Sequence, residues 1–307
     1  MKSLDWQENI KSKREADTFL IRKAIRLQLL ESPWEGTESM WSGISIDEMF
    51  EKIDGFKNNT WVFFDIESTG LKPEKSQITE IAAIAVDPNM FRESSDIIGT
   101  FNMKSKFTQE TLDIIRQQDE MPEEEKEDWQ KRKKMTVTDI LSMTRHGVKK
   151  SEFEKSFKTD ELNLIEGFLD FVESHSNPML IIQNADFDMP FTSTRYQKHG
   201  GNPDRVLKFP VLDTKIIMKY FLIPMLKTLA GPPTDDRESQ EMLKKLSKPG
   251  YHSVSQGVVS QAYGISADEW HNALADVKMM MEMLRRVMSS LELGRGVDIS
   301  SAQERTR

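Results

Sequence analysis

The chain has 307 residues, with 42 Lys plus Arg against 50 Asp plus Glu, a formal charge of −8 and no Cys. At about 100 to 200 residues per domain, that length holds one large domain or one domain with appendages. The missing Cys excludes disulfide frameworks, thiolate zinc sites and Cys nucleophiles, so any metal must sit on oxygen or imidazole.

The acidic surplus argues against a duplex binder, which advertises itself with basic charge. Apolar runs such as 81–86 fall far short of the roughly 20 residues of a membrane span. Arg22, Lys23 and Arg26 interrupt the only apolar stretch near the N-terminus, which argues against a signal peptide. The expected location is the cytoplasm, with no membrane partner.

In chain order, residues 16–30 place Leu20, Ile21, Ala24, Ile25 and Leu27 at helical spacing with basic residues between them, and predict an amphipathic helix. Residues 31–43 read as loop, with Trp34 and Trp41 suited to docking. This arm, residues 1–57, either packs on its own domain or serves as a docking element. Short strands follow at 61–66, 78–86 and 97–103, punctuated by Gly70, Pro73, Pro88 and Asn89. The block 117–134 runs from acidic to basic and predicts a solvated helix or an insertion.

Next come a helix over 160–174, a buried strand over 179–182 and a helix after Pro190. Strands and helices alternate as in an α/β sheet. Residues 230–250, with Gly231, Pro232, Pro233, Pro249 and Gly250, read as a second surface insertion. A last helix spans 272–290, its Met279, Met280, Met281, Met283 and Met288 reading as core and filler. The tail after Gly294 is expected to fray.

Three strings carry chemistry. In 62–71 an apolar strand delivers Asp65 and Glu67 to one face, because side chains alternate along a strand. Two carboxylates that close repel each other unless a cation offsets them, and oxygen ligands suit magnesium or manganese; two solvated acids at a strand end are the alternative. In 180–191 a second strand runs into Asp186 and Asp188, at the sheet end where α/β folds place ligands. Asp188 also suits a plain helix N-cap. In 270–277, His271 and Asp276 open the last helix, and their five-residue spacing keeps them off a common helical face. A lone His in such a place is more often structural.

In order and content the three strings resemble the motifs of the DnaQ-like, DEDDh exonuclease superfamily. Asp65, Glu67, Thr69 and Gly70 match the first, Asn184, Phe187 and Asp188 the second, and His271 with Asp276 the third. His146-Gly147-Val148, Asp213-Thr214 and Tyr263-Gly264-Ile265 are similar to further family positions.

The resemblance implies a ribonuclease H-like α/β fold, a mixed five-stranded sheet flanked by helices, in an exonuclease domain at 58–292. Insertions interrupt it at about 104–150 and 225–250, and a polar tail follows at 293–307. The implied activity is 3′–5′ hydrolysis of DNA, single-stranded ends preferred, releasing nucleoside 5′-monophosphates with two Mg2+ or Mn2+ ions about 3.5 to 4 Å apart. Asp65, Glu67, Asp188 and Asp276 are then the metal ligands, and His271 is the general base. Ile66, Thr69, Gly70, Leu71 and Asn184 become candidates for gripping the terminal nucleotide. The family's second carboxylate follows the Phe directly, which selects Asp188 over Asp186.

RNA remains an alternative substrate, since the motifs do not distinguish the sugars. A separate polymerase or replication partner could dock on the arm in a proofreading arrangement. A catalytically silent binding module is the reading from another class, and it predicts loss of a metal-binding carboxylate. The stand-alone layout also resembles exonucleases carried by tailed phages.

Overall fold

A computed structural model describes residues 41, 43–91, 96–109, 111–113, 159–228, 256–265, 272–300 and 303. The predicted helix at 16–30, the charged block at 117–134 and the insertion at 230–250 lie outside them, as do residues 114–150 of the first insertion. The chain divides into two compact units, Met1–Gly43 and Ile44–Arg307, and all the strands of the sheet belong to the second. Residues 44–57, grouped with the arm on composition, lie in that same second unit.

The second unit opens with α1 (Ile46–Asp54), whose start is written as a capping box: Ser45 accepts from the Glu48 amide and the Glu48 side chain accepts from the Ser45 amide. Strands β1 (Thr60–Ser68), β2 (Ile78–Val86) and β3 (Ile97–Lys104) then form an antiparallel meander. Helix α2 (Glu161–Glu173) leads to β4 (Pro178–Ile182), which pairs parallel with β1. After α3 (Ala185–Lys198) and α4 (Pro203–Leu207), β5 (Val211–Asp213) joins β4, also parallel. The sheet order is β3-β2-β1-β4-β5. A helical run comes next, α5 (Thr214–Ile217), a π-helical turn (Met218–Leu222) and α6 (Ile223–Thr228), and the last helices among the described residues are α7 (Gln256–Ala262) and α8 (Ala273–Leu293). This is the mixed five-stranded sheet flanked by helices that the motif resemblance implied.

Alternation along β1 assigns the two layers. Val62, Phe64 and Ile66 share one face, and there Phe64 stacks on Phe168 of α2 with ring centroids 4.7 Å apart. Trp61 and Phe63 share the other face and meet Phe91, which Arg285 of α8 covers in turn. Asp65 and Glu67 continue this second parity, so they emerge beneath α8. Every residue of β2 is buried, as expected for a strand with neighbours on both edges and helices on both faces.

Two expectations change. The helix of the second motif begins at Ala185, ahead of Pro190, and carries that proline inside it. The Asp213 carboxylate accepts from the Asn184 and Ala185 amides at 3.0 Å each, and this fixes the earlier start. The tail does not simply fray: Ile299 and Gln303 are buried, and the Gln303 amide donates to the Tyr220 carbonyl at 2.8 Å. Among the described residues, no helix is long and apolar enough to cross a membrane.

Candidate active site

The site lies where β1, β4 and α8 converge. Asp65 and Glu67 stand on the α8 side of β1, and Asp276 falls in the first turn of α8. Oxygen atoms of these three carboxylates lie within 4.8 Å of one another, a spacing that one divalent cation can bridge.

The register of α8 depends on its cap. The Asn272 side chain accepts from the Ala275 amide at 3.1 Å, the Asn272 carbonyl accepts from the Asp276 amide at 2.9 Å, and Gln256 of α7 donates to the Asp276 carbonyl at 2.7 Å. Asn272→Ala is therefore expected to cost about 1 kcal/mol of stability, readable in urea unfolding. An unchanged midpoint would show that the cap does not hold the first turn.

Asp188 is buried on α3, whereas Asp186 two residues earlier is exposed. The backbone amide of Ile66, between Asp65 and Glu67 on β1, acts on the Asp188 carboxylate and favours its ionised form against the burial that raises it. Asp188 is not in the close trio, yet after burial it is the largest electrostatic influence on Asp65.

The charges are mutually unfavourable. Burial pushes the Asp65 carboxyl well above the usual carboxylate range, and repulsion from Asp188, Glu67, Asp276 and Glu80 adds to this. Burial also raises Asp188 well above that range, with Asp213 adding to the shift and the Asp188 and Ile66 amides opposing it. Asp213 is raised by burial against the amides of Asn184, Lys215 and Ala185. An all-oxygen donor set with this much uncompensated repulsion fits a hard divalent cation such as Mg2+ or Mn2+.

The segment after β1 is held from both sides. Thr69 donates its amide to the Gln77 carbonyl and accepts the Gln77 amide on its hydroxyl, both at 2.9 Å, while the Ser68 hydroxyl donates to the Gly70 carbonyl at 2.8 Å. Arg195 of α3 donates to the Pro73 carbonyl at 3.1 Å and to the buried Glu161 of α2, which also accepts the Ile78 amide at 2.7 Å. Between these anchors Leu71 is 57% exposed, an apolar side chain left in solvent four residues after Glu67. Asn184 adopts a left-handed backbone with φ 72°, and its side-chain oxygen accepts from Lys215 at 2.8 Å.

The structure thus groups Asp65, Glu67 and Asp276, sets Asp188 beside them, and places Ile66, Thr69, Gly70 and Leu71 on the adjoining strand end and loop. Asn184 stands at the start of the helix that carries Asp188. His271 lies outside the described residues. Motif reading passed over Glu80, a buried carboxylate that acts on Asp65. Its signal was an acid inside the otherwise apolar run of β2.

A family model described as an exonuclease matches residues 62–146 and so includes the first motif. A PolC-type DNA polymerase III from Clostridium perfringens is 24% identical over 228 residues, 74% of this chain and 11% of that protein. Its counterpart from Pediococcus pentosaceus is 26% identical over 171 residues, 56% of this chain and 9% of that protein. The chain therefore spans about a tenth of the length of these relatives.

Among solved structures, E. coli exonuclease I in complex with a dT13 oligonucleotide superposes with a TM-score of 0.51 at 16% identity, covering 76% of this chain and 42% of that one. Its apo form gives 0.51 at 16%, covering 77% and 43%. The likeness is one of fold. The ordered motifs, the exonuclease model matching residues 62–146 and the shared sheet support likeness to the DnaQ-like 3′–5′ exonuclease superfamily, and the fold is ribonuclease H-like.

Proposed function

We propose that the chain is a 3′–5′ exonuclease that releases nucleoside 5′-monophosphates from DNA 3′ ends, single-stranded ends preferred, with Mg2+ or Mn2+ as cofactor. The observation that carries this reading is the meeting of three carboxylates within 4.8 Å at the end of the central strand. Asp65, Glu67 and Asp276 would hold one divalent ion, and Asp65 with Asp188 would hold a second. When bound, such ions neutralise the charge that builds on the phosphodiester and help ionise the attacking water.

The protein's own groups do the rest. His271 is the general base, its imidazole near neutrality suited to accept a proton from the attacking water. Leu71 wedges against the terminal base, a contact that tolerates any sequence, and Thr69, Gly70, the Ile66 backbone and Asn184 orient the sugar and its phosphate. The arm at 1–57 and the two insertions are where substrate choice beyond this site would reside.

The test is hydrolysis of 5′-labelled DNA and RNA strands of matched sequence, single and duplex, with Mg2+ and with Mn2+. The expected result is a ladder shortening from the 3′ end of single-stranded DNA, with 5′-mononucleotide products. Internal cuts, or no hydrolysis with either ion, would reject the reading. Faster loss of the RNA strand would move the assignment to an exoribonuclease.

A proofreading role beside a separate polymerase is a second reading, favoured by the similarity to PolC-type polymerases. Deletion of residues 1–43, which keeps α1 in the second unit, would remove the arm as its docking element if polymerase binding is unchanged.

A further inference from the structure

One carboxylate at the site is not a motif residue. Glu80 of β2 pairs across the sheet with Glu67 of β1 on one side and with Lys104 of β3 on the other. Residues paired across strands share a face, so the row Glu67, Glu80, Lys104 runs on the α8 side of the sheet. Glu80 is 4% exposed. Its Oε2 lies 3.1 Å from the Lys104 ammonium, and its Oε1 has no hydrogen-bond partner among the described residues.

Burial raises the Glu80 carboxyl above the usual carboxylate range, opposed first by the Lys104 ammonium and least by the amide of Ala273 at the start of α8. The neighbouring Thr79 hydroxyl donates to the Glu67 carbonyl at 3.2 Å. Glu80 thus stands beside Glu67 on the strand that carries Asp65, on the face of the sheet that packs against α8.

As a purely structural ion pair this arrangement is poor. A buried carboxylate oxygen with no donor costs about 1 to 3 kcal/mol or more, and the charge repels Asp65 as well. Both costs turn to advantage if a cation stands between β1 and α8. We propose that Glu80 is a positioning residue for that cation: held by Lys104 beside Glu67, it deepens the negative potential around Asp65, Glu67 and Asp276 without itself being one of the trio. The inference rests on the reading of those three residues as ligands of a divalent ion.

Glu80→Gln keeps the shape and removes the charge. Mn2+ binding to the full chain, followed by electron paramagnetic resonance and by calorimetry, is expected to weaken about 10- to 100-fold, the usual effect of losing a group that supports metal ligands. The thermal midpoint in EDTA is expected to hold or rise, because a repelling charge has gone. A role in packing alone would lower the midpoint together with the affinity, and that joint loss would overturn the proposal. So would Mn2+ affinity within threefold of the native chain.

Asp276→Asn titrated in parallel separates the two levels of inference. If it weakens Mn2+ binding and Glu80→Gln does not, only the role of Glu80 falls. If neither variant weakens it, the ligand reading falls as well.

Discussion

Asp276→Asn is expected to lower kcat about a thousandfold on a single-stranded DNA end while leaving the protein folded. The substitution keeps the shape of a side chain that is 7% exposed and removes one of three carboxylates that converge within 4.8 Å. Electrostatic stabilisation by a bound divalent ion is worth several kcal/mol in phosphoryl chemistry. At one factor of ten per 1.36 kcal/mol, misplacing that ion by losing a ligand removes about three powers of ten.

The fold survives for a local reason. The backbone of Asp276 is held by Asn272 and Gln256, and both bonds survive the substitution. Its charge raises the pKa of Asp65, so neutralising it relieves repulsion in the cation-free protein. Single-turnover hydrolysis and a melting curve in EDTA read both effects. A rate within threefold of native would reject Asp276 as a ligand, and a midpoint lowered by many degrees would reassign it to structure.

The carboxylates were legible in the sequence because the period of a strand and the end of a sheet both constrain them. Asp65 and Glu67 had to share a face once 61–66 was read as a strand, and the observed parity with Trp61 and Phe63 turns that face toward α8. The choice of Asp188 over Asp186 came from the family pattern. Asp188 is the one buried on α3, whereas Asp186 is exposed.

Other features left no local trace. The early start of α3 depends on Asp213, nearly thirty residues downstream, accepting two backbone amides, and no pattern near Pro190 announces it. Glu80 read as one acid in an apolar strand because its meaning depends on the register with Glu67 and Lys104. The docking of Ile299 and Gln303 is of the same kind. The composition of the tail is polar, but buried Ile299 and the Gln303 amide, donating to the Tyr220 and Ile44 carbonyls, dock it. Periodicity reveals which face a residue occupies, and long-range hydrogen bonds decide what that face meets.

The raised carboxyls also make stability depend on pH in a direction opposite to that of most surface acids. In the cation-free protein the folded pKa of Asp65 stands well above its unfolded value, and Asp188 shifts the same way. The folded state then holds protons that the unfolded chain has released. This contribution to stability is fully present below the unfolded pKa of about 3.9 and is lost as pH rises through the folded value, by at most about 1.4 kcal/mol per pH unit for each carboxyl. For a unit of this size each kcal/mol lost lowers the thermal midpoint by about 2 to 4 °C.

Glu173 is shifted oppositely, to about 2 by Arg205 and Lys208, so its contribution is lost only as the solution is acidified below the ordinary carboxylate range. Melting curves in EDTA from pH 5 to 8, native chain minus Asp65→Asn, isolate the site: the native midpoint is expected to fall relative to the variant as pH rises. Mn2+ should reverse the slope. Only the ionised carboxylates bind it, and at a hundredfold excess over Kd it returns about 2.7 kcal/mol, a gain that grows as protons cease to compete. A difference curve flat with pH in EDTA would show that Asp65 is not held protonated by its surroundings. A native chain whose midpoint ignores Mn2+ at pH 8 would show that the three carboxylates meet for some purpose other than holding a cation.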